Sequence, residues 1–203
     1  MLKDRLSSIA VYLTLFLFLI FILVPFLWLI RLSLMTQVQA FSEPPVFIFK
    51  PYLKNFSDLF IEANFLKFFI NSVIVSLATT IGCLVIGGPA AYGLLKLERR
   101  WSNYLLIGML LIRMVPAIAY IIPYFVVFSK IGLIDTIIGL VLANFTFNLP
   151  IVIWLMRSFF MDIPESLEDA ARIDGASISR TFVEVIVPIT APGFLSAGIL
   201  TFI

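Results

Sequence analysis

The apolar residues of this chain fall in long runs separated by short polar segments. A helix needs about 20 mainly apolar residues to cross the hydrocarbon core of a bilayer. The runs Ile9–Ile30, Ser72–Leu95, Tyr104–Phe128 and Ile134–Leu155 meet that length, and a fifth begins near Val185 and is still apolar at Ile203. The pattern predicts an all-α polytopic membrane protein with five spans. Pro25 lies inside the first run and predicts a kink there, and Pro116, Pro123 and Pro150 interrupt the third and fourth. Membrane helices tolerate such prolines when neighbours satisfy the freed carbonyls.

Lys3, Asp4 and Arg5 precede the first run, as in a signal peptide. That run is longer than an h-region of about 7–15 residues and no small-residue cleavage site follows, so it reads as a retained helix. No polar flank closes the fifth run, which predicts a sequence truncated at its C-terminal side. Gly82, Gly87, Gly88, Pro89, Ala90 and Ala91 crowd the second run. Small residues let helix backbones approach closely, the usual basis of helix packing in lipid.

Composition narrows the chemistry. Of 203 residues, 62% are hydrophobic and 13% charged, with a mean hydropathy of +1.11. Soluble domains are about 45–50% apolar and about 25% charged, so a soluble globule is excluded. A net charge of +2 gives no electrostatic reason to expect a nucleic-acid partner. With no His and only Cys83, most zinc sites, any disulfide framework within the chain and His-based triads drop out. No G-x-x-x-x-G-K-[ST] is present, so no nucleotide site and no cofactor are expected.

Orientation follows from Lys and Arg in the short loops. Lys3, Arg5, Lys96, Arg99, Arg100, Arg157, Arg172 and Arg180 fall on one side; Arg31, Lys50, Lys54, Lys67 and Lys130 fall on the other. The excess predicts a cytoplasmic N-terminus. The outer loop, about residues 31–70, carries Pro44, Pro45 and Pro51 and then Phe56, Phe60, Phe65, Phe68 and Phe69. It reads as an aromatic elbow at the membrane surface or as a docking surface for an outside partner. Asn55 or Ser57 is placed to cap a short helix there.

The inner loop, about residues 157–184, is heavily punctuated. Pro164 suits a first helical turn, and Glu165, Glu168 and Asp169 suit the positive end of its dipole. Leu167, Ala170, Ala171 and Asp174 recur at three- and four-residue spacings. Gly175 then ends the helix, and Ser177 or Ser179 opens a second one leading to Phe182 and Pro188. The product is a helix–Gly–helix corner with small residues and carboxylates exposed.

The stretch Asp169-Ala-Ala-Arg-Ile-Asp-Gly-Ala176, followed by Phe182, Val187-Pro188 and Pro192, resembles the EAA signature of binding-protein-dependent ABC transporter permeases. Asp169 stands where that family has Glu, and Val187 where it has Leu. The similarity extends to Asn71-Ser72, Ala91-Tyr92, Val115-Pro116, Pro123, Gly132–Thr136 and Ile163–Leu167. It is closest to the second, six-span permease subunit of maltose-type carbohydrate importers. The resemblance implies a type I ABC importer permease fold, a single transmembrane permease domain over residues 1–203 and a sixth span beyond this sequence. It implies transport rather than enzymatic activity. The implied partners are a homologous permease in a heterodimer, two cytoplasmic ATPase subunits, an extracytoplasmic sugar-binding protein and membrane lipid. The inner corner becomes the coupling helix, seated in an ATPase cleft. Glu168, Asp169, Ala170, Ala171, Asp174, Gly175 and Ala176 are its candidate residues. Ala170 and Ala171 would allow close approach, Asp169 would offer a carboxylate, and Asp174 would fix the turn.

Polar groups inside spans are expensive, so they are functional candidates by default. Arg113 sits near the middle of the third run, with Tyr120 and Tyr124 in the same run and Asn144, Thr146 and Asn148 in the fourth. Amides and aromatic rings suit sugar hydroxyls and apolar sugar faces; interhelical hydrogen bonding explains the same residues. The competing class is a self-sufficient secondary transporter or channel. That class predicts acids within the spans for ion coupling, whereas every Asp and Glu here falls in a loop or at a span edge.

Overall fold

The structure is a computed structural model that describes residues 2–62 and 64–203, with side chains described for Ile9 and from Val11 onward. The side chains of the charged flank Lys3, Asp4 and Arg5 therefore lie outside the described residues. Every regular element among the described residues is helical. The chain divides into two units, Met1–Phe68 and Phe69–Ile203.

The first unit is built on α1 (Leu2–Ser33), which runs through Pro25 as one continuous helix. Its last turn carries Arg31, where a cation suits the negative end of the helix dipole. The guanidinium lies 4.5 Å from the Trp28 ring and 4.9 Å from the Phe47 ring, and it donates to the Val46 carbonyl. A short α2 (Gln37–Ala40) follows, opened by a Thr36–Gln39 capping box. In α3 (Lys54–Ile61) the residue at the N-cap is Leu53, without a side-chain cap, so neither Asn55 nor Ser57 has the expected role. Asn55 instead donates from its amide to the Ser33 and Met35 carbonyls, at 2.9 and 2.8 Å. Those carbonyls lie at and just beyond the end of α1, where the helix provides no donors of its own.

α4 (Phe65–Leu95) starts seven residues earlier than the hydrophobic run predicts, and so absorbs Phe65, Phe68 and Phe69 from the expected outer loop. The third run is not one straight span. α5 (Arg99–Met114) and α6 (Ile118–Lys130) meet at a 95° bend. α7 (Ile137–Met161) is a single helix containing Pro150. The fifth run is also bent, by 78°, between the helical segment Ile178–Ile189 and α11 (Ala191–Phe202). That segment comprises α9 (Ile178–Thr181), a π-helical turn (Phe182–Ile186) and α10 (Val187–Ile189). Pro188 has no N–H to donate, and the turn before it is widened. At the bend the Thr190 hydroxyl donates to the Ile186 carbonyl at 2.7 Å. Among the described residues α1, α4 and α7 are long and apolar enough to cross a membrane, and the count reaches five if each bent pair is one span.

In the second unit α7 packs against α5 and α11. Its core holds Cys83, Ala91, Val152, Met156 and Ala197, all fully buried. Close approach depends on glycine at several contacts, Gly87 and Gly193 among them. A Cβ on Gly87 would lie 2.8 Å from Val152 Cγ1, and one on Gly193 2.6 Å from Phe159 Cγ. In lipid this interlocking, rather than expulsion of water, holds helices together. Toward one end of the bundle Phe160 packs edge-on against Tyr92 and Phe182, with ring centroids 6.1 Å away in each case, and Phe194 joins the cluster at 6.1 Å.

Candidate functional site

The inner loop folds as the punctuation predicts. α8 (Glu165–Ile173) begins after Pro164, with Glu165 and Glu168 in its first turn and Arg172 in its last. Its end is a Schellman cap. Asp174 is the C-cap, the Gly175 N–H donates to the Arg172 carbonyl at 3.0 Å, and the Ala176 N–H donates to the Ala171 carbonyl at 2.9 Å. Gly175 has φ +79°, which a side chain would strain. Ser177, not Ser179, then caps α9: its hydroxyl accepts from the Arg180 N–H at 3.3 Å. The stretch from Ala171 to Ser177 is thus a helix stop followed directly by a helix start.

The motif residues do not all face the same way. Ala171 is 8% exposed and packs inward, against the expectation that both alanines are presented. Glu168, one turn earlier on the same face, has a side chain 16% exposed and forms an ion pair with Lys96, just beyond the end of α4. Asp169 and Ala170 are exposed, as are Asp174 and Gly175, and Ile173 is 85% exposed. Among the described residues Asp169 has only the loose pairing to Arg172, at 3.7 Å along the same helix. Arg180 pairs in the same local way with Glu184, at 2.8 Å. The corner therefore presents a carboxylate, a small residue and a large apolar residue outward, while Glu168 and Ala171 hold it from within.

The candidate pathway residues separate into three places. Arg113 lies in the last turn of α5, exposed, beside the 95° bend, and not in the middle of a continuous span. The Pro116 break is the reason. Tyr120 and Tyr124 stack on each other at 5.9 Å and meet the Phe147 ring of α7 edge-on at 5.1 and 6.4 Å. They pack α6 against α7. Asn144 and Asn148 come together with Ser76, Thr79 and Thr201 around a polar pocket of about 270 Å³ between α4, α7 and α11.

In that pocket each Asn spends one amide hydrogen on its own helix, Asn144 to Leu140 at 2.9 Å and Asn148 to Asn144 at 3.0 Å. Thr146, nearby in sequence, bonds Leu142 in the same way and is exposed. The Asn carbonyl oxygens remain as acceptors, each with a second amide hydrogen. The Thr79 hydroxyl is buried, 2% exposed as a residue, with no hydrogen-bond partner among the described residues. A polar wall with unspent donors and acceptors suits a hydroxyl-rich solute. Sequence reasoning found the two asparagines but not Ser76, Thr79 or Thr201. Isolated hydroxyls in apolar helices usually bond their own backbone, as Thr201 does to Ala197 at 2.8 Å, and so carry no distinguishing signal. It also missed the Lys96–Glu168 pair, whose members stand 72 residues apart.

Bundled apolar helices, a polar pocket between three of them and a projecting helix–Gly–helix corner define a helical protein built for a membrane. The chain belongs to the family described as binding-protein-dependent transport system inner membrane component, which it matches over residues 83–203. It is 40% identical over 185 residues to the trehalose transport system permease protein SugB of Mycobacterium tuberculosis, covering 89% of this chain and 66% of that protein. It is 35% identical over 181 residues to the probable ABC transporter permease protein y4oR of Sinorhizobium fredii, covering 89% and 65%. The chain thus spans about two thirds of the length of the curated relatives it matches. Its fold is that of a chain in the crystal structure of a bacterial ABC transporter involved in the import of the acidic polysaccharide alginate. The TM-score is 0.76 at 23% identity, covering 98% of this chain and 70% of the other.

Proposed function

We propose that this chain is a transmembrane permease subunit of an ATP-driven sugar importer, and that the α8–α9 corner is its point of coupling to a separate ATPase subunit. The observation that carries the reading is the outward face of that corner. Asp169, Ala170 and Ile173 are exposed side by side, on a helix whose other face is fixed to the bundle by Glu168 and Ala171. A small residue beside a large apolar one suits insertion into a cleft, and the carboxylate suits a basic group on the cleft wall. ATP-driven closure of two ATPase subunits would press on this corner and reorient the helices that line the pocket.

In this reading the pocket bounded by Ser76, Thr79, Asn144 and Asn148 is part of the sugar pathway. A similar permease completes the membrane portion as a heterodimer, and an extracytoplasmic binding protein delivers the sugar. The N-terminus is cytoplasmic, on the face that carries Lys96, Arg99, Arg100 and the corner. The names of relatives that transport trehalose or trehalose and maltose support a sugar as cargo.

The test is co-purification from detergent of the ATPase subunit with the full transporter, with Asp169–Ala176 intact or scrambled. Recovery of the ATPase only with the intact segment supports the coupling assignment. Equal recovery with the scrambled segment overturns it.

A further inference from the structure

Lys96 and Glu168 join two elements that the coupling reading treats separately. Lys96 follows directly on the last residue of α4, and Glu168 lies on the inward face of α8. Their side chains are 34% and 16% exposed, so water screens the pair only in part. The ammonium also lies 4.7 Å from the centroid of the Tyr92 ring, one turn back along α4. A cation over an aromatic face gains from the ring quadrupole. Tyr92 is itself 5% exposed and tilted against Phe182 at 5.2 Å, so its ring is held from behind by the element that continues the corner. Lys96 is thereby clamped between a carboxylate of the corner and a ring of the membrane helix.

The same helix α4 supplies Ser76 and Thr79 to the polar pocket. A displacement of α8 by an ATPase thus meets a charge pair anchored on the pocket-lining helix.

We propose that Lys96 and Glu168 are positioning residues that transmit movement of the corner to α4, and that Glu168 is not a docking contact. The proposal rests on the coupling reading above. It separates the motif into an outward half that binds and an inward half that transmits.

The experiment uses the complete transporter reconstituted in liposomes, with sugar uptake and ATP hydrolysis measured together. Lys96→Gln and Glu168→Gln each lower uptake per ATP hydrolysed by about tenfold, the scale of one charge-assisted hydrogen bond, while the ATPase subunit still co-purifies. The double exchange Lys96→Glu with Glu168→Lys restores most of the lost ratio. A merely structural pair would change yield or thermal stability without changing that ratio. An unchanged ratio in both single variants overturns the proposal. So does loss of the ATPase subunit from Glu168→Gln but not from Lys96→Gln, which would make Glu168 a docking contact. Where a single variant fails to accumulate, the double exchange decides: recovery supports the proposal, and continued loss overturns it. Asp169→Lys, on the outward face, reads the docking assignment separately. If it leaves ATPase binding intact, the coupling reading fails at its own site, whatever the Lys96 and Glu168 variants show.

Discussion

The Tyr120 hydroxyl donates to the Ile112 carbonyl at 2.6 Å, across the bend between α5 and α6. Ile112 stands four residues before Pro116, whose missing N–H would have bonded that carbonyl in a continuous helix. Tyr120 adds a donor to the one that the Val115 N–H already directs at this carbonyl, at 3.3 Å. Tyr120→Phe keeps the ring contacts with Tyr124 and Phe147 and loses this bond. It is expected to destabilise the protein by about 1 kcal/mol, read as a lower midpoint of thermal unfolding in detergent.

Adjacent alanines should behave oppositely. Ala170 is exposed and Ala171 is buried. Ala170→Trp should leave the protein folded and weaken ATPase co-purification. Ala171→Leu should overpack the inward face of α8 at a cost of about 1–3 kcal/mol, seen as reduced stability of the permease purified without its ATPase.

Gly175 sits at φ +79° with open space where a Cβ would project. Gly175→Ala therefore meets backbone strain of about 1–2 kcal/mol and no clash. Gly175→Pro cannot adopt that angle and also removes the N–H that caps α8. Transport should fall modestly in the first and be lost in the second, with membrane insertion of both checked by fractionation.

Gly193 is a steric site. A Cβ there would lie 2.6 Å from Phe159 Cγ. Gly193→Leu should separate α11 from α7 and lower yield and thermal stability. Gly93, with nothing within 4 Å, is the control position and should accept alanine with little change beyond propensity.

Asn148→Leu and Thr79→Val remove acceptors from the polar pocket and leave the corner untouched. Both are expected to reduce sugar uptake while ATPase binding is unchanged. Thr79→Val should also raise stability slightly, because it removes a buried hydroxyl with no partner among the described residues.

Much of this arrangement is legible in the residues. Long apolar runs locate α1, α4 and α7 because lipid imposes a length. Gly175, Asp174 and Ser177 locate the corner because helix stops and starts require particular residue types. Hydropathy does not report direction. The runs Tyr104–Phe128 and Val185–Ile203 read as continuous, yet the chain turns sharply at Val115–Ala117 and at Thr190. A proline permits such a bend without requiring it: Pro25 lies in an uninterrupted helix and Pro116 at a break. The same limit applies at the site. Helical spacing places Glu168 and Ala171 on one face of α8, but only the fold turns that face inward, because Lys96 arrives from a distant part of the chain.

The Lys96–Glu168 pair also bears on the parity of the crossings. Lys96 marks where α4 ends, and Glu168 lies shortly after α7 ends. Two ends that touch lie at the same surface of the bilayer. α7 is long and apolar enough to cross, and a single crossing to that surface starts from the opposite one. Everything between α4 and α7 must then carry the chain from one surface to the other. A re-entrant loop enters and leaves by the same side and fails this count. With α7 as a span, the α5–α6 pair counts as one broken span despite its 95° bend.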